Sequence, residues 1–249
     1  ACHRIRVILE RHAIHAEERD RLLVEDFVPG AEVALEGMLA DGRLETIALF
    51  DKPDPLEGPY FEETYYVTPS RLDREVQAWI GQRVAEACAA YGLRTGPVHA
   101  ELRVTDSDAY VLEVAARTIG GECARLLELA TGRPLEELVL ARAVGQALPV
   151  QPVGKGAGVL MLPVPRHGVL RRVEGVIAAR KVPHVQDVVI TVREGYELVP
   201  LPEGGSYPGF VYALAPTPQE AEKALREAHA KLTIVTAPLF QLQAGSERA

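Results

Sequence analysis

Two stretches, Val98 to Val104 and Ala109 to Ala115, alternate apolar and polar residues on either side of Asp106, Ser107 and Asp108. That pattern is an antiparallel hairpin with one buried face. Pairing Thr105 with Ala109 across a three-residue turn gives a nearly uniform apolar face: Val98, Ala100, Leu102 and Val104 against Ala116, Val114, Leu112 and Tyr110. The opposite face pairs His99 with Ala115, Glu101 with Glu113, and Arg103 with Val111. Two glutamates directly across a sheet repel each other, so Glu101 and Glu113 either stand in solvent or share a cation. Carboxylate oxygens suit Mg²⁺, which takes one or two protein carboxylates together with substrate phosphates. Arg117, followed by Thr118, Ile119, Gly120 and Gly121, favours the second reading, because a cation and a glycine-led helix start favour anions. Acids for a metal beside donors for phosphate suggest a nucleotide γ-phosphate site.

Composition narrows the classes around that hairpin. With 249 residues, 47% hydrophobic and 25% charged, the chain has core material for one large domain or two small ones, which excludes collagen-like, disordered and mini-protein classes. A net charge of -8 repels phosphate backbones and anionic lipids, so neither nucleic acid nor a membrane is an expected partner. Cys2, Cys88 and Cys123 are odd in number and Cys88 falls in a helical pattern, which points to packing thiols and a reducing, cytoplasmic setting. No run approaches the roughly 18 apolar residues of a membrane span, and the N-terminus lacks the plan of a secretory signal. The chain opens without methionine, inside a helical pattern at Ile5, Ile8, Leu9 and His12, and is read as a truncated or processed fragment.

Along the chain, Leu22 to Val24 reads as a short strand and 25–30 as a connector. A hairpin follows, with Val33, Leu35 and Leu39 on one strand, Asp41 and Gly42 in the turn, and Leu44 to Phe50 returning. Residues 51–68 read as a long loop. Ser70 and Asp73 resemble a capping box before a helix with Leu72, Val76, Ile80, Val84, Cys88 and Tyr91 on one face and Gly92 at its end. Helices are expected at 122–131 and 134–147, then a boundary near 149–154. Short β segments are expected at 157–164, 168–173, 187–192, 196–200 and 209–214. A last helix is capped by Thr217 and Glu220, with Ala221, Ala224, Leu225, Ala228 and Leu232 as its stripe. Strands mixed with segregated helices predict α+β rather than a doubly wound sheet.

The run Glu101, then Leu112-Glu113-Val114-Ala115-Ala116-Arg117-Thr118-Ile119-Gly120-Gly121, resembles the metal-binding segment of ATP-grasp ligases: Glu, a hairpin, then Glu-x-Asn-x-Arg. Upstream, Leu23 to Glu32 is similar to that family's adenine-binding linker with its ribose-contacting glutamate. Between them, Asp51-Lys52-Pro53 and Glu62 to Ser70 resemble the L-amino-acid-ligase branch. The resemblance runs over about residues 5–240. It implies an ATP-grasp C-terminal subdomain, an antiparallel sheet flanked by helices, over 1–153, a small β-rich C-terminal domain over 154–240, and a tail at 241–249.

By the same resemblance, Glu25 and Phe27 flank adenine, Glu32 holds the ribose hydroxyls, and Lys52 lies near the phosphates. Glu101 and Glu113 bind Mg²⁺, with Mn²⁺ as a substitute, and Arg117 faces the transferring phosphoryl group. The implied activity is ATP-dependent ligation of a small carboxylate to an amine, between amino acids, through an acyl phosphate with release of ADP. Two departures stand out: the second-metal asparagine is Ala115 here, and the family's N-terminal ATP-binding lysines have no counterpart, so the chain reads as incomplete for catalysis. A homodimer, or association with the missing N-terminal part, is the implied assembly. The alternatives are a biotin-carboxylase-like or purine-pathway ATP-grasp enzyme, or a non-catalytic nucleotide-binding fragment.

Two further features read as structural, and a third stays open between two roles. His12 and His15 with Glu17 and Glu18 lack the arrangement of a metal site. Gly154 to Gly158 fails the spacing of phosphate-binding loops. Tyr65 and Tyr66 line a pocket or cover the sheet.

Overall fold

The hairpin over 98–115 forms one edge of a much larger sheet. The computed structural model describes residues 2–12, 15, 21–56, 60–120, 122–150 and 153–239. Helix α1 (Cys2–His12) precedes β1 (Ala31–Ala40), β2 (Arg43–Asp51), β3 (Tyr65–Thr68), α2 (Arg74–Ala90), β4 (Gly96–Val104) and β5 (Ala109–Ala115). Then come α3 (Cys123–Thr131), α4 (Leu135–Ala143), β6 (Gly156–Met161), β7 (Gly168–Glu174), α5 (Val176–Arg180), β8 (Val185–Ile190), β9 (Glu197–Leu198), β10 (Gly209–Ala215), α6 (Pro218–His229) and β11 (Thr233–Ala237). Eight strands form one sheet in the order β5-β4-β1-β2-β3-β6-β10-β8, and β11-β7-β9 form a second, small one. Every neighbouring pair in the large sheet is antiparallel, as the α+β expectation requires.

Period-two alternation sends side chains to both faces of this sheet. On one face Val33, Leu35, Leu49, Val98, Ala100 and Leu102 pack against Ile80, Val84 and Cys88 of α2. Farther along, Tyr65, Leu160 and Val211 pack against Ala221, Ala224, Leu225 and Ala228 of α6. On the other face Phe50, Tyr66, Val159 and Tyr212 meet Leu126 and Leu127 of α3 and Leu135 and Leu138 of α4. At the β1–β4 end that face carries Glu32, Glu36, His99, Glu101 and Arg103 alongside Ala34 and Met38 of the core.

Several local expectations change. Residues 21–29 form no strand, because no neighbouring strand takes up their backbone groups. Tyr65–Thr68, expected within a loop, is a strand that bridges β2 and β6. Helix α2 begins after Asp73, with Ser70 Oγ accepting from Leu72 N at 3.2 Å instead of closing a box, and Tyr91 is 75% exposed beyond its end. Strands β6, β10 and β8, which follow residue 154, complete the large sheet. Residues 151–152 and the tail 241–249 lie outside the described residues.

The hairpin register is instructive. His99 faces Ala115 and Glu101 faces Glu113 as expected, but a bulge then shifts the pairing to Leu102 with Val111, Arg103 with Tyr110 and Val104 with Ala109. A bulge inserts one extra residue and re-aims its side chain. Leu112 therefore leaves the expected apolar face and stands 43% exposed, while Ala109 is buried and Tyr110 is 46% exposed.

Thr217 caps α6 through Glu220 N at 3.2 Å, and its hydroxyl reaches Glu220 Oε2 at 2.9 Å. Thr217→Ala should lower stability by about 1 kcal/mol. Leu126→Ala, which empties a fully buried position, should cost about 2–5 kcal/mol. Urea denaturation of both variants checks the ranking.

Candidate functional site

Strand β1 lies between β2 and β4, and its alternation puts Glu32, Ala34 and Glu36 on one face. Across β4 they meet Arg103, Glu101 and His99 respectively. Lys52 follows directly after β2, and its backbone N–H bonds Glu32 O at 3.2 Å, which directs its side chain over the same face. The Lys52 ammonium sits 2.6 Å from Glu32 and 3.2 Å from Glu101, and it also contacts Glu63. It lies 5.2 Å from the centre of the Tyr66 ring, whose hydroxyl donates to Glu63 at 2.7 Å. Arg103 binds the other oxygen of Glu32 at 3.1 Å and the Leu56 carbonyl at 2.7 Å. Its guanidinium lies 4.8 Å from the ring of Phe27 and 5.6 Å from that of Phe61, and these two rings stack at 6.1 Å.

Above this floor opens a cavity of about 690 Å³, a size that suits a nucleotide-scale ligand. Glu25, Asp26, Phe27 and Val28 form one wall, Phe61 and Glu63 another, and Leu112, Leu201 and Tyr207 the rest, with Glu32, Glu101 and Arg103 beneath.

Burial and charge oppose each other throughout. Burial works to lower the Lys52 ammonium, but Glu63, Glu101 and Glu32 together hold it above the ordinary lysine value. Burial likewise works against a charged His99, yet Glu101 and Glu36 raise it to about 9, so the ring is a cation at neutral pH. Glu101, despite burial, is drawn down to about 2, first by His99 and then by Lys52. Glu63 stays above the usual carboxylate range because burial, joined by the charge of Glu101, outweighs Lys52. A carboxylate that stays raised while touching an ammonium is under-compensated. One oxygen from each of Glu32, Glu63 and Glu101 lies within 4.8 Å of the others, an all-oxygen donor set of the kind a hard divalent cation takes, and the Lys52 ammonium contacts all three.

The structure gathers Glu25, Phe27, Glu32 and Glu101 around one cavity and buries Lys52 against Glu32 and Glu101. Glu113 faces Glu101 in the register, but its side chain is 59% exposed and lies 4.0 Å from Arg117. Arg117 is equally exposed and donates to Thr118 O at 2.9 Å. Neither residue lines the cavity. Tyr65 and Tyr66 divide: Tyr66 belongs to the site, whereas Tyr65 meets His229 at 2.7 Å under α6. Cys88 and Cys123 are buried in the two cores, and Gly154 to Gly158 leads into β6. The side chain of His12, together with Glu17, Glu18 and Gly121, lies outside the described residues.

Glu36, Phe61, Glu63, His99, Arg103, Leu112 and Tyr207 were not singled out as site residues from the sequence. Period two on β1 flags Glu36 once Glu32 is suspected, and the hairpin face already carried His99 and Arg103. Glu63, Phe61 and Tyr207 arrive from loops that have no period.

Residues 1–125 match the ATP-grasp domain, and residues 160–237 match the L-amino acid ligase C-terminal domain 2. Carnosine synthase 1 of Gallus gallus is 32% identical over 163 residues, 64% of this chain and 17% of that protein. Alanine–anticapsin ligase of Bacillus subtilis is 29% identical over 109 residues, 43% of this chain and 22% of that one. The crystal structure of L-amino acid ligase from Bacillus licheniformis superposes with a TM-score of 0.74 at 30% identity, covering 85% of this chain and 55% of that chain. The chain thus spans well under half the length of these curated relatives and about half of the solved ligase.

Replacing Lys52 by methionine leaves buried carboxylates without their shared cation. Removing one partner of a buried ion pair costs roughly 3–5 kcal/mol. Lys52→Met should lose about that much in urea denaturation, and Lys52→Arg should recover part of it.

Proposed function

The chain belongs to the ATP-grasp family, and from that premise we propose that it carries the nucleotide site of an ATP-dependent carboxylate–amine ligase that joins amino acids. The observation that carries this reading is the buried Lys52 held by Glu32, Glu63 and Glu101 on the floor of a cavity walled by Phe27 and Phe61. The match to an L-amino acid ligase C-terminal domain favours this branch over a biotin-carboxylase-like or purine-pathway enzyme.

In the proposed reaction a substrate carboxylate oxygen attacks the γ-phosphorus of ATP and ADP leaves. An amine then attacks the acyl phosphate carbon, phosphate departs and the nitrogen loses a proton. Such transfer asks a protein for positioning and charge neutralisation, with no nucleophilic side chain. The Glu25–Phe27 segment is assigned to adenine, Glu32 to the ribose and Lys52 to the phosphates. Glu101 with Glu113, joined by Glu63, would hold Mg²⁺ or Mn²⁺, which when bound supplies charge neutralisation at the phosphate oxygens. Ala115 offers no ligand atom, so the acids carry that task. Arg117 is assigned to the transferring phosphoryl group, and its exposed position leaves it free to turn inward when a ligand fills the cavity.

The test is binding of MgATP by the full chain and release of ADP with amino-acid pairs, with bicarbonate, or without acceptor. Release that requires an amino-acid pair supports the reading, and bicarbonate dependence favours the biotin-carboxylase-like alternative. Tight binding without release supports a nucleotide-binding fragment. In a chain that turns over, Arg117→Ala should leave ATP binding within about twofold while kcat falls about 10²–10³-fold, the scale of one lost transition-state donor. Equal loss of binding and turnover would remove Arg117 from that role.

A further inference from the structure

Glu36 is the most deeply buried acid of the site face, with no exposed surface, and it lies outside the cavity lining. Burying a carboxylate costs several kcal/mol unless partners compensate it, so its partners define its purpose. Glu36 has two of them. The Ile119 backbone N–H donates to both carboxylate oxygens, at 3.3 and 3.2 Å. His99, directly opposite on β4, places Nδ1 3.3 Å from Oε2, an ion-pair contact without hydrogen-bond geometry. Both partners lead to the candidate site by different routes. The far nitrogen of His99 stands 3.6 Å from Glu101. Ile119 belongs to the irregular segment 116–120 that carries Arg117, and its side chain is anchored in the core beside α3.

We propose that Glu36 is a positioning residue that holds Glu101, through His99, and the Arg117-bearing segment, through Ile119 N, in one frame. This rests on the ligase reading for what the frame serves, but the frame itself is a property of the folded chain. Glu36 touches no ligand in this scheme. It fixes the distance between a group assigned to a metal and a group assigned to the transferring phosphoryl, and misplacement of either weakens a reaction that depends on positioning.

Two variants of the full chain separate the two arms. Glu36→Ala removes both, whereas Glu36→Gln keeps an oxygen for Ile119 N and loses the charge that faces His99. Amide hydrogen exchange should rise at least about tenfold across 116–120 in Glu36→Ala, with α2 protection unchanged, and return to within about threefold of wild type in Glu36→Gln. Where wild type releases ADP, both variants should lower kcat about tenfold or more with the ATP KM within about twofold. Exchange that stays put at 116–120 in Glu36→Ala, or rises equally over the whole sheet, overturns the proposal. So does an unchanged kcat in both variants of an active chain. A wild type that releases no ADP with any acceptor defeats the ligase reading, and the exchange comparison still decides whether Glu36 holds the frame.

Discussion

An ammonium buried among carboxylates governs the rest of this structure. Glu32, Glu36, Glu63 and Glu101 crowd one end of a sheet face, and without Lys52, Arg103 and a protonated His99 their mutual repulsion would push that end open. The cations come from different places in the chain: Lys52 from the end of β2, His99 and Arg103 from β4. They converge only because β1 lies between β2 and β4. That order follows from the chain's route. A tight turn at Asp41 and Gly42 returns β2 beside β1, and α2 then crosses the opposite face and delivers β4 to the free edge of β1. The apolar packing under α2 therefore sets the geometry of the charges above it.

The same alternation explains how much of the site could be read from residues alone. Two hairpins, the long helix, the capped last helix and the facing of Glu101 with Glu113 are all consequences of local period and turn chemistry, and they stand in the structure. What failed was information carried by distant partners. The bulge between Glu101 and Leu102 moves Leu112 from the core to the cavity wall. A strict alternation of apolar residues cannot reveal it, because Leu satisfies either face. Tyr65–Thr68 reads as loop from its own residues and becomes a strand because β2 and β6 leave room for it. Glu63 owes its place to Lys52 and Tyr66, and no pattern within its own loop announces that. Family resemblance reached residues that periodicity could not, above all the linker around Glu25 and Phe27, which has no regular structure.

The segments matching two families, 1–125 and 160–237, meet within one sheet, where β3 pairs with β6. A joint made of backbone hydrogen bonds and a shared core leaves little freedom for one half to rotate against the other. Leu201 and Tyr207, from the second half, complete a cavity whose floor belongs to the first. Loops that carry two of its lining residues are tied to each other as well. Arg4 of α1 makes a two-pronged pair with Glu203 at 2.7 and 2.9 Å and reaches the Tyr60 hydroxyl at 2.5 Å, joining the loop beside Phe61 to the loop that begins at Leu201. These contacts are exposed and individually weak. The Lys52 cluster, by contrast, rests on the continuous sheet below it. The alignment of these charges resides in the sheet, whereas the segment around Phe27 that walls the cavity above them has no regular structure.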